Sequence, residues 1–102
     1  RKNRATLKSY PKVITLKPET GGTRMKYSEL EGKVNEFYMT IKIEDAIMYI
    51  QDEGDDIALI SIENQFVMDT DYEAFWFLHS TVQNNVLDWC YQISKTPLEE
   101  RD

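Results

Sequence analysis

The chain has 102 residues, of which 41% are hydrophobic and 12% aromatic, a globular composition and not a disordered one. Its length excludes a second ordinary domain. No apolar run approaches the roughly 20 residues that cross a bilayer, and no signal peptide is visible, so we expect an intracellular, cytoplasmic protein without membrane contact.

The formal net charge of −6 hides an uneven distribution. Residues 1–33 hold nine basic and three acidic side chains, a net charge of +6, whereas the remainder holds three basic and fifteen acidic, a net charge of −12. This asymmetry predicts a basic arm, residues 1–12, attached to a single acidic α+β domain, residues 13–102.

The arm supplies the candidate contacts to nucleic acid, which are Arg1, Lys2, Arg4, Lys8 and Lys12. Such residues bind phosphate or an acidic protein surface by electrostatic attraction. The alternatives are a solvated tail and an arm folded back on the acidic body of its own chain, since scattered basic residues near termini are common.

After the arm, Val13 to Leu16 is a short β-prone run that fits an edge strand, and residues 19–23 form a glycine-containing loop. That loop lacks the lysine and hydroxyl residue of a phosphate-binding loop. Ser28 and Glu31 fit a capping box at the start of a short helix. Apolar and polar residues then alternate from Phe37 to Glu44, and this alternation predicts a strand.

The segment from Glu44 to Gly54 fits two structures, a short helix or part of a hairpin. We favour the hairpin, with a five-residue loop over residues 52–56. Residues 57–62 are almost continuously apolar, which indicates a central strand buried on both faces. Asn64 and Gln65 are expected to form a turn, and Phe66 to Met68 a returning strand.

One long amphipathic helix is predicted from Thr70 to Lys95. Thr70 and Glu73 fit a capping box, and Pro97 cannot continue the helix. An apolar stripe recurs every three or four residues, at Phe75, Leu78, Val82, Val86, Trp89 and Ile93. The predicted fold class is therefore α+β: an antiparallel meander of three to five strands packed against one long C-terminal helix.

Trp76, Phe77, Leu87 and Tyr91 lie off this stripe, so the helix has more apolar surface than a small sheet can cover. We interpret the four residues as a partner interface, including one between two copies of the chain. The alternative is that the N-terminal segment covers Trp76 or Phe77 within the domain.

The sequence gives little support for catalysis, a metal site or a cofactor. His79 and Cys90 are the only residues of their kinds, and eleven residues along a helix separate them by about 16 Å. The acids around Gly54, at positions 52, 53, 55 and 56, do not have the spacing of a calcium loop, and we interpret them as a solvated loop.

Two functions remain as hypotheses. The first is a small non-enzymatic regulatory protein that binds another protein through its acidic surface and apolar C-terminal helix. The alternative is a nucleic-acid-binding module that uses the basic arm, with Tyr10, Tyr27 and Tyr38 available for base stacking. In its order of elements only, the segment from Ile57 to Leu78 is similar to single-strand-binding coactivator domains.

Overall fold

The computed structural model describes residues 24–102. The basic arm, the predicted edge strand at 13–16 and the loop at 19–23 lie outside the described residues. The elements in chain order are α1 (Tyr27–Glu36), β1 (Thr40–Glu44), β2 (Ile47–Asp52), β3 (Asp55–Ser61), β4 (Met68–Asp69), α2 (Glu73–Trp76), α3 (Ser80–Lys95) and a 3-10 helix (Leu98–Glu100).

The four strands form one antiparallel sheet in the order β1-β2-β3-β4, so the predicted meander and the α+β class are confirmed. The ambiguous segment forms β2 and the turn to β3. That turn contains only Glu53 and Gly54, both with positive φ, so the predicted five-residue loop is wrong. Two-residue turns of this kind suit the right-handed twist of paired strands.

Strand β3 is an interior strand, as predicted, because it pairs with β2 on one side and with β4 on the other; β2 is the second interior strand. Ile57, Ala58 and Ile60 are fully buried. A register irregularity opposite Ile50 and Gln51 shifts the pairing by one residue. This bulge explains how the adjacent residues Ile57 and Ala58 both enter the core.

Helix α1 starts one residue before the predicted capping serine. Lys26 is the N-cap, and its backbone N–H donates to Glu29 Oε1 at 2.8 Å, so the predicted pair of Ser28 and Glu31 is wrong. The strand predicted from Phe37 begins at Thr40 because Tyr38 adopts a φ of 63°, which ends the helix in a turn.

Strand β4 is also shorter than predicted, because Phe66 has a φ of 69° and only Met68 and Asp69 pair with β3. The connection from β3 is fixed at both ends. The Ser61 hydroxyl accepts from the backbone of Glu63 and of Asn64, and the Phe66 N–H donates to Ser94 O at 2.7 Å.

The predicted long C-terminal helix is broken into α2 and α3. A continuous helix over residues 70–95 would be about 39 Å long, whereas the longest dimension of the molecule is 36 Å. The predicted cap at Thr70 is wrong: Tyr72 is the N-cap of α2. Extended His79 begins α3, where its Nδ1 accepts from the Thr81 N–H at 3.1 Å.

The hydrophobic core lies between the sheet and the helices. The predicted stripe contributes Phe75, Val86, Trp89 and Ile93 as buried residues, whereas Leu78 and Val82 are half-buried. The Trp89 ring meets Phe37 edge to face, with centroids 5.0 Å apart. No helix within residues 24–102 is long and apolar enough to span a bilayer.

Arg101 lies near the C-terminal end of the described chain, and its side chain is fully buried. Its guanidinium donates to the carbonyls of Thr96, Ser61 and Ser94 at 2.8 to 3.1 Å and to the Tyr27 hydroxyl at 3.2 Å. The Tyr27 N–H in turn donates to Arg101 O at 2.5 Å. Residues 25–27 are thereby held beside residues 96–101.

Candidate protein-interaction surface

Two large aromatic residues project from the end of α2. Trp76 is 54% exposed and Phe77 is 80% exposed, whereas the preceding Phe75 is buried at 3%. The Trp76 ring lies edge to face against Phe75, with centroids 5.6 Å apart. This contact with a buried ring restricts the orientation of the Trp76 side chain. Less side-chain entropy is then lost when a partner binds to the exposed rings.

A cleft beside these aromatic residues is rich in carboxylates. Asp55, Asp56 and Glu73 line it together with Tyr72 and Phe77, and its volume is about 530 Å³. The acids come from the start of β3 and the start of α2, two elements that pack against each other. We call this cleft, together with Trp76, the acidic-aromatic patch.

Hydrogen bonding and burial order one wall of the patch. Gln51 Nε2 donates to Asp56 Oδ1 at 2.7 Å, which fixes one carboxylate. Burial raises the pKa of the Tyr72 hydroxyl, and the nearby Tyr49, Asp56 and Asp69 add to this effect. A protonated phenol and several carboxylates thus lie together, which favours a ligand that carries positive charge and hydrogen-bond donors.

The four predicted interface residues have two different environments. Trp76 and Phe77 are exposed, whereas Leu87 and Tyr91 on α3 are half-buried and pack against the core. Lys95 Nζ lies 4.7 Å from the centre of the Tyr91 ring, a cation–π distance. Of these four residues, therefore, only the two at the junction of α2 and α3 are exposed.

The junction itself is rigidly connected. Gln83 Nε2 donates to the carbonyls of Phe75 and Trp76, at 3.0 and 3.3 Å, and so ties the last turn of α2 to the first turns of α3. The Phe75 carbonyl also accepts from the Leu78 N–H at 3.1 Å. The positions of Trp76 and Phe77 are consequently set by the fold and not by a loose loop.

The candidate nucleic-acid contacts Arg1, Lys2, Arg4, Lys8 and Lys12 lie outside the described residues, as does Tyr10. Tyr27 is half-buried against the Arg101 guanidinium, 5.8 Å from its ring centre, so one ring face is occupied. Tyr38 is 93% exposed. Residues 24–102 contain seventeen acidic and six basic side chains, a net charge of −11.

His79 and Cys90 lie at separate positions of α3. His79 is the exposed N-cap, and the fully buried Cys90 is almost three turns further along. Burial raises the pKa of the Cys90 thiol to about 12. A neutral, enclosed thiol is a poor nucleophile, so the arrangement suits core packing and not covalent chemistry.

The acids around Gly54 form the β2–β3 turn and one side of the cleft. Within residues 24–102, no group of three or more His, Cys, Asp or Glu side chains is placed to hold a metal ion. Sequence reasoning missed that Asp55 and Asp56 approach Glu73. No local pattern signals this approach, since it depends on how α2 packs on β3.

Comparison of the chain with protein-family models, curated proteins and solved structures finds no match.

Proposed function

We propose that the protein is a non-enzymatic interaction module that binds a basic segment of another protein at the acidic-aromatic patch. The observation that carries the proposal is that exposed Phe77 lines a cleft with three carboxylates and is preceded in the chain by a second exposed aromatic residue, Trp76. Aromatic anchors contribute most of the binding energy at typical interfaces. Carboxylates around them select partners that carry lysine or arginine.

The same charges make a second copy of the chain a poor partner at this patch. A two-fold contact would bring the carboxylates of one copy against those of the other, which disfavours association. A homodimer through Trp76 and Phe77 would therefore require high salt. Light scattering at low salt is expected to give the mass of a monomer.

The proposal is tested by titrating the full chain into a labelled peptide that contains arginine and leucine, with an acidic peptide of equal length as comparison. We expect the basic peptide to bind and the acidic peptide not to bind. Phe77→Ala and Trp76→Ala should each weaken binding by about tenfold or more, as expected of aromatic anchors. Added salt should weaken it further by screening the carboxylates.

The matched control is Phe66→Ala. Phe66 is 55% exposed, close to the 54% of Trp76, but it lies in the connection between β3 and β4. Its removal should leave the Kd unchanged. Asp55→Asn with Glu73→Gln tests the charges without changing the shape. Equal binding of both peptides, or an equal loss with Phe66→Ala, would contradict the proposal.

The nucleic-acid alternative is tested by adding a short single-stranded oligonucleotide at low salt. The net charge of −11 on residues 24–102 repels phosphate, so binding would depend on the arm. We expect no gain in mass by light scattering. A gain that disappears when Arg1, Lys2 and Arg4 are replaced by serine would instead favour the alternative.

A further inference from the structure

A second surface lies at the other end of the strands, and it is apolar. This groove, about 810 Å³ in volume, runs between α1, the turn joining β1 and β2, and the 3-10 helix. Its apolar lining includes Ile41, Ile43, Met48, Ile62 and Leu98. We call it the β1 groove. The acidic-aromatic patch shares no lining residue with it: the patch includes Asp55, which begins β3, whereas Ile62 in the groove follows the end of β3.

The β1 groove exists because the apolar face of the sheet extends beyond the area that the helices cover. Ile60, Met48 and Ile43 are register neighbours across three strands, and their exposed fractions are 0%, 3% and 59%. All three residues are apolar, but the one on β1, Ile43, is exposed to solvent. A sheet face of this kind gains stability when another apolar segment covers it.

The described chain begins beside residues that line this groove. Arg24, the first described residue, forms an ion pair with Glu100 in the 3-10 helix, two residues from the groove residue Leu98. The Met25 N–H donates to Thr96 Oγ1 at 2.9 Å, which holds Met25 beside the C-cap of α3. Residues 1–23 precede this point. Eight residues of extended chain reach about 27 Å, so Leu16 is within reach of the whole groove.

The chemistry of the preceding segment matches the groove. Residues 13–16 are Val, Ile, Thr and Leu, and they are flanked by Lys12 and Lys17. The groove has Glu31 and Asp102 among its lining residues. An apolar centre between two lysines would thus meet an apolar floor with carboxylates beside it, a match in both hydrophobicity and charge.

We propose that residues 13–16 of the same chain occupy the β1 groove. The short connection to Arg24 makes the contact intramolecular and gives the segment a high effective concentration. Docking there would also hold the basic residues 1–12 at the β1 side of the molecule. The proposal is independent of the function proposed above, because it uses the opposite end of the sheet.

The test places a paramagnetic label at residue 17 of the full chain through Lys17→Cys. The buried Cys90 is not expected to react with the labelling reagent. Amide signals of Ile41, Ile43 and Ile62 should lose most of their intensity and regain it when the label is reduced. Signals of Ala74 and Phe77 should be unchanged and serve as the internal reference.

Two further samples separate docking within one chain from contact between chains and from charge attraction alone. Ile14→Asp with Leu16→Asp in the labelled chain should restore the groove signals, because charged residues cannot occupy an apolar floor. A mixture of labelled chain and isotope-labelled, untagged chain should show no loss. Loss in the mixture would assign the groove to a second copy. Loss at Asp55 and Asp56 that disappears with salt would indicate electrostatic contact alone, and either result would overturn the proposal.

Discussion

At the scale of single residues, Arg101 shows how a positive charge is accommodated in a core with no ion-pair partner among residues 24–102. Its donors meet three backbone carbonyls, two of them from Ser94 and Thr96 at the C-terminal end of α3. The carbonyl end of a helix carries partial negative charge. The guanidinium is thus stabilised by the helix that it caps, and it satisfies acceptors that would otherwise be buried without partners.

Arg101→Ala should lower the free energy of unfolding by about 2–4 kcal/mol, because it removes buried hydrogen bonds to the carbonyls of Thr96 and Ser61 together with a fully buried side chain. Urea denaturation of the full chain measures this value. Arg24→Ala is the matched control: it removes the same charge from a half-exposed ion pair with Glu100 and should cost less than about 1 kcal/mol. Equal losses in the two variants would contradict the structural role of Arg101.

Cys90 makes stability depend on pH in the alkaline range. Burial raises its pKa from 9.0 to about 12, so the folded thiol keeps its proton while the unfolded thiol loses it. The unfolded state then binds fewer protons. The free energy of unfolding should therefore fall between pH 9 and pH 12, by up to about 1.4 kcal/mol per pH unit.

Comparison with Cys90→Ala isolates this effect, because Tyr72 also has a raised pKa and contributes in the same direction. Urea denaturation at pH 8 and pH 10.5 should show a smaller loss of stability for the alanine variant. If the two proteins lost the same amount, Cys90 would not be the group that titrates.

At the scale of elements, the hairpin turns show what a sequence pattern predicts and what it misses. Alternation and apolar runs indicate the strands, and the apolar run at residues 57–62 correctly predicts that β3 is an interior strand. The turn at Asp45 and Ala46 carries no glycine, although both residues have positive φ, 53° and 64°. Without the usual Asn-Gly or Asp-Gly signal, the boundary between β1 and β2 could not be predicted.

Ala46→Gly should stabilise the protein by about 0.5–1 kcal/mol, because glycine adopts this left-handed conformation without steric cost. Thermal unfolding would show a higher Tm. Gly54→Ala is the reverse substitution in the other hairpin turn. Gly54 has a φ of 89°, and an added Cβ would meet no atom within 4 Å, so only the backbone conformation would be strained. It should destabilise the hairpin, and a change of the same sign in both variants would refute this explanation.

The break between α2 and α3 depends on information that is not local. Residues 70–95 keep a helical apolar period throughout, and none of residues 73–80 is a proline or glycine. The helix is interrupted where extended His79 caps α3 by accepting from the Thr81 N–H, and Gln83 adds hydrogen bonds to the carbonyls of Phe75 and Trp76. The exposure of Trp76 and Phe77 follows from this interruption.

At the scale of the whole molecule, the two surfaces lie at opposite ends of one sheet and differ in chemistry. The acidic-aromatic patch joins carboxylates to exposed rings, whereas the β1 groove is apolar. The sequence predicts the excess apolar surface and the acidic charge, but not that Asp55 and Glu73 share a cleft. That juxtaposition requires the packing of α2 on β3.

The hydrogen bonds between residues 25–27 and residues 96–101 also affect the order in which the chain folds. The two hairpins close within a few residues, whereas the bonds from Met25 to Thr96 and from Tyr27 to Arg101 span more than seventy residues. Contacts between near neighbours form fastest, and distant ones must first overcome the entropy of loop closure. On the ribosome, we expect the sheet to form before residues 80–101 have emerged, and until then the core residues of α3 cannot cover it. During that interval the chain would depend most on chaperones.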